Sequence, residues 1–165
     1  MTDRQPFPLI FPYVEDVTSG ATHPTGRIVY RPVISITLVG TELGDDATLF
    51  ALVDSGAERV LAAPGVARQI GVDPDPNNSV SLKIAGETRL MRPAEVTLRL
   101  PPEPEPPGVE WQAEVGFLSA WTVAPWQVIL GQVGFFDQFT VTFSRHALQL
   151  AIEPAEVFDE RYSTS

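Results

Sequence analysis

Leu49-Phe50-Ala51-Leu52-Val53-Asp54-Ser55-Gly56-Ala57 is the stretch from which the fold is read. Its apolar run without polar alternation predicts a strand buried on both faces. That strand delivers Asp54 at its end, and a hydroxyl and a glycine follow at once. A carboxylate so placed sits in a partly dry site with accessible backbone beside it. Taken alone, Asp-Ser-Gly is also ordinary turn chemistry, because Gly accepts positive φ and Asp bonds nearby amides. The flanking sequence separates these readings.

Upstream, Ile34, Ile36 and Leu38 alternate with Ser35 and Thr37, the period-two pattern of a half-buried strand, and Gly44-Asp45-Asp46 marks a turn. Two adjacent acids in such a turn are solvated as a rule, so no metal site is expected there. Downstream, Pro64 at a start, Val66, Ala67 and Ile70 on one face and Gly71 as a stop predict a helix of two turns. Val80, Leu82 and Ile84 alternate with Ser81 and Lys83; Ala85-Gly86-Glu87 then turns the chain, and Arg89 to Met91 return as the second arm of a projecting hairpin.

Two more strands are expected where Val96, Leu98 and Leu100, and then Trp111, Ala113, Val115 and Phe117, alternate with polar residues. Residues 101–108, rich in Pro, lack ladder donors and read as a stiff polyproline surface loop. Val128-Ile129-Leu130 predicts a short buried strand ended by Gly131, and residues 133–139 a brief helix in spite of Gly134. An antiparallel pair built on Val141 and Phe143, and on Leu148, Leu150 and Ile152, closes the pattern.

A chain of 165 residues suits one compact core, burying about 70% of its unfolded surface. With 44% hydrophobic and 19% charged residues it can build that core, and sixteen Pro and twelve Gly punctuate short elements. The boundaries read as an extended N-terminal arm over 1–26, a main domain over 27–152 and a mobile acidic tail over 153–165. The arm carries Phe7, Leu9, Ile10, Phe11 and Tyr13 among prolines, which suits lying over apolar surface, its own or a partner's.

The net charge of −10 disfavours nucleic acid and anionic membranes as partners. No Cys is present, which removes thiolate zinc sites and cysteine nucleophiles, and His23 and His146 are too few for a His-rich metal centre. No cofactor is expected. The Cys-free composition, and an N-terminus without a basic start and continuous apolar core, predict a cytoplasmic protein without a secretion signal. Trp111, Trp121 and Trp126 read as core packing, and no motif pairs His146 with a nucleophile.

Leu52-Val53-Asp54-Ser55-Gly56-Ala57, followed far downstream by Ile129-Leu130-Gly131 and then by residues 134–143, resembles the retropepsin-like aspartic proteases over roughly residues 27–152. The resemblance implies an all-β, mainly antiparallel, closed barrel with one or two short helices, in which the Asp-Ser-Gly loop lies beside the Ile-Leu-Gly strand. It also implies a flap hairpin, and residues 80–91 occupy that place with Gly86 near the tip.

Amide hydrolysis by water needs one group to take the water's proton and another to protonate the carbonyl oxygen, and two adjacent carboxyls sharing a proton supply both. This sequence carries one Asp-Ser-Gly and is too short for two fused lobes. The resemblance therefore implies a C2 homodimer acting on a peptide or protein substrate under acidic to mildly acidic conditions, with Asp54 of each copy as the catalytic carboxyl. Ser55, Gly56 and Ala57 would support the loop, Ser55 by a hydrogen bond across the axis. Val60, Ile84, Gly86 and Ile129 would contact substrate.

Several residues depart from the retroviral pattern. Ser55 stands for the commoner Thr, Glu58 for Asp and Gln132 for Arg, which removes the usual supporting ion pair unless Arg59 substitutes. A single Gly at the flap and the Pro-rich insertion point to a cellular, bacterial branch. Two other readings stay open: a retropepsin-like module that binds peptide or dimerises without hydrolysis, and an unrelated acidic β-barrel in which Asp54 only caps a loop.

Overall fold

The structure is a computed structural model that describes residues 7–16, 28–84, 86–101, 108–121 and 125–162. The chain order begins β1 (Leu9–Pro12), β2 (Val14–Asp16), β3 (Val29–Arg31), β4 (Val33–Leu38), β5 (Ala47–Val53), β6 (Leu61–Ala62) and α1 (Pro64–Gln69). It continues with β7 (Val80–Ile84), β8 (Glu87–Leu100), β9 (Val109–Leu118), β10 (Val128–Leu130), β11 (Phe139–Ser144), β12 (Gln149–Pro154) and α2 (Ala155–Tyr162). The fold is all-β, with few helices.

Seven strands form one sheet in the order β4-β5-β10-β6-β9-β8-β7, and an additional β4–β8 pairing, Thr37 opposite Arg99 and Leu38 opposite Leu98, brings the sheet back on itself. β7 lies outside that ring as the free arm of the hairpin. A second sheet, β1-β12-β11, and a β2–β3 pair complete the architecture.

The longest ladder runs between β8 and β9, from Met91 opposite Leu118 to Leu100 opposite Val109. Val96, Leu98, Leu100, Ala113, Val115 and Phe117 are buried along it, as their alternation predicts. Two strands expected separately, over 89–91 and 96–100, are one continuous strand, because Pro93 and Ala94 stay in register with Gly116 and Val115.

α1 follows its sequence signals. Pro64 opens it, Val66, Ala67 and Ile70 are buried, and Gly71 leaves it with φ of +69°. A Cβ at Gly71 would come within 2.5 Å of the Gly44 nitrogen, so the tight approach of these two turns needs glycine on both sides.

Several expectations are corrected. β5 is not buried on both faces: Ala47, Ala51 and Val53 are, but Phe50 is 56% exposed. Conversely β4 is more enclosed than its alternation implies, since Thr37 is buried with its hydroxyl 2.9 Å from that of Thr48. Residues 134–138 form successive turns instead of a helix, with Gly134 at φ of +96° and its N–H bonded to Asp137 Oδ1. Residues 155–162 of the acidic tail form α2, where Arg161 grips the buried Glu153 through two nitrogens at 3.1 and 3.3 Å and Ala155 N–H donates to the Gln138 carbonyl. In the described part of the N-terminal arm, β1 pairs with β12 of the same chain, from Leu9 opposite Ile152 to Pro12 opposite Gln149. His23 and residues 102–107 of the Pro-rich loop lie outside the described residues.

The main core gathers Ile34, Ile36, Leu38, Val60, Val96, Leu98, Val115, Leu130 and Phe135 inside the ring. Trp111 packs edge-on against Phe139, with centroids 4.8 Å apart, and donates to the Gly134 carbonyl at 2.7 Å. A second buried cluster, Val33, Leu61, Met91, Leu118, Trp126 and Ile129, lies on the face that carries the candidate site, with Leu52, Leu82 and Ile84 packed against it. No helix among the described residues is long and apolar enough to cross a membrane.

Candidate active site

β5 and β10 run parallel, with Leu52 opposite Ile129 and Val53 opposite Leu130. Parallel pairing of two short apolar strands carries both chain directions to the same edge, so Asp54 emerges beside Gly131. The Asp54 N–H donates to the Leu130 carbonyl at 3.0 Å, which extends the ladder by one bond into the loop.

The loop then folds over its own carboxylate. Gly56 N–H donates to Asp54 Oδ1 at 2.9 Å, and Ala57 N–H to the Asp54 carbonyl at 3.1 Å. Asp54 is half-buried, whereas Ser55 and Gly56 are exposed at the loop's apex. The carboxylate is therefore oriented by a main-chain donor while remaining open to a ligand.

The Ile-Leu-Gly strand holds the far side of the loop. Gln132 N–H donates to the Ala57 carbonyl and Val133 N–H to that of Glu58, both at 2.9 Å. A Cβ on Gly131 would stand 2.4 Å from the Arg59 carbonyl oxygen and 2.7 Å from that of Ala57, so only glycine permits this closeness. The Gln132 side chain reaches back to the apex, its Nε2 donating to the Ser55 carbonyl at 2.6 Å. Arg59 is engaged by Glu58 and by Glu114 of β9, each at 3.2 Å, so the base available as an ion-pair partner for Glu58 is in use there.

Facing the loop is the hairpin of β7 and β8. Ile84 pairs with Glu87, and between them Gly86 takes φ of +85° as a tight hairpin loop requires. Nothing lies within 4 Å of the position of a Cβ on Gly86, so the tip stands in open space. A cleft of about 540 Å³ separates hairpin and loop, walled by Asp54, Ala57, Leu61, Leu82, Ile84 and Ile129. Glu58, Arg59, Ser81 and Lys83 also line it, so the trough is of mixed character, with the Asp54 carboxylate at one side and, at the other, the edge of β7 that is unpaired among the described residues.

The structure brings Asp54, Gly56, Ala57, Ile84 and Ile129 to this cleft, whereas Ser55 and Gly86 are exposed and do not line it. Val60 is corrected: it is fully buried in the main core, and Leu61 faces the cleft instead. The run Val60-Leu61-Ala62-Ala63 has no polar alternation that could say which residue points which way. Leu61, Leu82 and Gln132 are among the site residues that sequence reading missed. His146 lies exposed in the β11–β12 turn, and Asp46 accepts from Gly40 N–H and pairs with Arg99.

Among solved structures the chain is similar to a retropepsin-like aspartic protease from Rickettsia conorii, with a TM-score of 0.52 and 12% identity over 88% of this chain and 89% of that one. At that identity the likeness shows the fold. No protein-family profile matches the chain, and no curated protein matches it in sequence.

Proposed function

We propose that this chain is a homodimeric aspartic endopeptidase in which two Asp54 carboxyls, one from each copy, activate a water between them. The observation that carries this reading is the placement of Asp54: leaving a parallel strand pair, oriented by Gly56 N–H, and facing a hairpin across a cleft.

Two carboxyls brought within hydrogen-bond reach cannot both ionise and so hold one proton between them. The ionised member takes a proton from the water as it attacks the scissile carbonyl carbon, and the protonated member gives its proton to the carbonyl oxygen. The carboxyl that took the water's proton then passes it to the leaving nitrogen, the other carboxylate takes a proton from a hydroxyl of the tetrahedral intermediate, and the C–N bond breaks to leave an amine and a carboxylic acid. The pair begins and ends with one proton.

The free edge of β7 and the exposed Gly86 suit an extended peptide laid along the cleft as an added strand, with Ile84, Ile129 and Leu61 meeting its apolar side chains. Ser55 would bond across the two-fold axis. A copy that remained single would hold peptide by the same edge without cleaving it, since one carboxyl cannot be both acid and base in this step. Incubating the purified protein with unstructured polypeptides at acidic pH, alongside Asp54→Asn, tests the reading. Asp54-dependent cleavage supports it, and equal cleavage or none by both proteins sinks it.

A further inference from the structure

The loop from Asp54 to Glu58 is held at both ends and bare in the middle. Asp54 is tied to Leu130, and Ala57 and Glu58 to Gln132 and Val133, all by main-chain bonds. The apex at Ser55 is exposed, and among the described residues the hydrogen bond reaching its carbonyl comes from Gln132 Nε2 at 2.6 Å. The neighbouring cation, Arg59, is turned to Glu58 and Glu114. We infer that Gln132 is a positioning residue for the Asp54 loop: its carboxamide fixes the Ser55 carbonyl, and with it the peptide plane leading to the Gly56 N–H that orients the Asp54 carboxylate.

The geometry explains why one contact has this reach. The Ser55 carbonyl and the Gly56 nitrogen belong to the same planar peptide unit, so holding the oxygen sets the direction of the N–H. That N–H is the donor to Asp54 Oδ1. Freed from Gln132, the exposed Ser55–Gly56 plane can rotate, because Gly imposes little restriction, and the carboxylate loses its orienting donor. Gln132 is itself well placed to act as an anchor, since its own N–H is bonded to Ala57 and the next residue, Val133, is bonded to Glu58. A neutral amide holds the loop without adding a charge beside the carboxylate.

This inference deepens the proposed function and rests on it for its kinetic consequence, but its structural part is independent of hydrolysis. The test compares wild type, Gln132→Met, which removes the donor at similar volume, and Gln132→Glu, which can donate through its O–H only while protonated. Amide hydrogen exchange at Gly56 and Ala57 is read as a ratio to wild type at each pH. Gln132→Met should raise both rates about fivefold to tenfold at every pH, leaving β8–β9 amides unchanged. Gln132→Glu should match wild type when protonated and approach or exceed the Met variant as pH rises through the ordinary Glu range near ~4.3. With a cleavable peptide, kcat should fall by a similar factor with KM little changed.

Unchanged Gly56 and Ala57 exchange in Gln132→Met, or a Glu variant whose ratio does not move with pH, overturns the role of Gln132 and leaves the proposed function standing. The expected exchange pattern in a protein that cleaves nothing has the opposite meaning: the positioning contact holds and the endopeptidase reading fails.

Discussion

The main-chain N–H of Asp54 donates to the carbonyl of Leu130 at 3.0 Å, so the acidic loop is a direct continuation of the β5–β10 pairing. A side chain placed by strand geometry needs little reorganisation to meet a ligand, which is what a positioned acid or base requires.

Asp54→Asn is expected to abolish Asp54-dependent cleavage by at least about 10²-fold while leaving the fold intact. The Asn carbonyl oxygen can still accept from Gly56 N–H, the bond that Asp54 Oδ1 makes at 2.9 Å. Steady-state kinetics with a circular-dichroism melt checks both halves: a lost fold or a retained rate counts against the assignment.

Val60 and Ile84 should separate core from cleft. Val60→Ala opens a void in the main core and should cost about 2 kcal/mol by urea denaturation, with the cleavage pattern unchanged. Ile84→Ala, on the half-exposed hairpin, should leave stability nearly as it was and raise KM for peptides with bulky apolar side chains.

Gly131→Ala should be destabilising by about 1–3 kcal/mol, because its Cβ would press on the Arg59 and Ala57 carbonyls at 2.4 and 2.7 Å. Exchange of the Gln132 and Val133 amides should rise in parallel. A variant as stable as wild type would show that the loop and the Ile-Leu-Gly strand are less tightly joined than described.

The guanidinium of Arg99 is held above its ordinary pKa chiefly by its hydrogen bond to Glu110, which with a lesser contribution from Asp46 outweighs the opposing effect of burial. A group whose pKa is raised on folding stabilises below its unfolded value and loses that contribution only as pH rises through the folded one. For Arg99 that window lies in strongly alkaline solution, so its own ionisation should leave stability flat across neutral pH. Arg99→Met should cost no more than about 1 kcal/mol, less in high salt, as thermal melts at two ionic strengths would show.

The strands and the place of Asp54 are legible because alternation and short apolar runs mark strands, and alternation also reports which face is buried. Val96, Leu98 and Leu100 point inward as their pattern requires, and Pro64 and Gly71 bound α1. The reading failed where burial is set by partners distant in sequence. Phe50 is as apolar as a core residue but lies on the open face, and Glu153 is buried because Arg161 reaches it from the next helix. Val60 and Leu61 could not be told apart without knowing that β6 sits between β10 and β9. Gln132 stood out only as a missing charge, and its bond to Ser55 is visible only in three dimensions.

Mixing wild type with an equal amount of Asp54→Asn, after exchange of subunits, asks whether one active centre draws on two chains. If it does, only the wild-type pairs cleave, and activity per total protein falls to about one quarter of that of wild type alone. A fall to about one half, as independent sites would give, would contradict a carboxyl pair shared across the dimer.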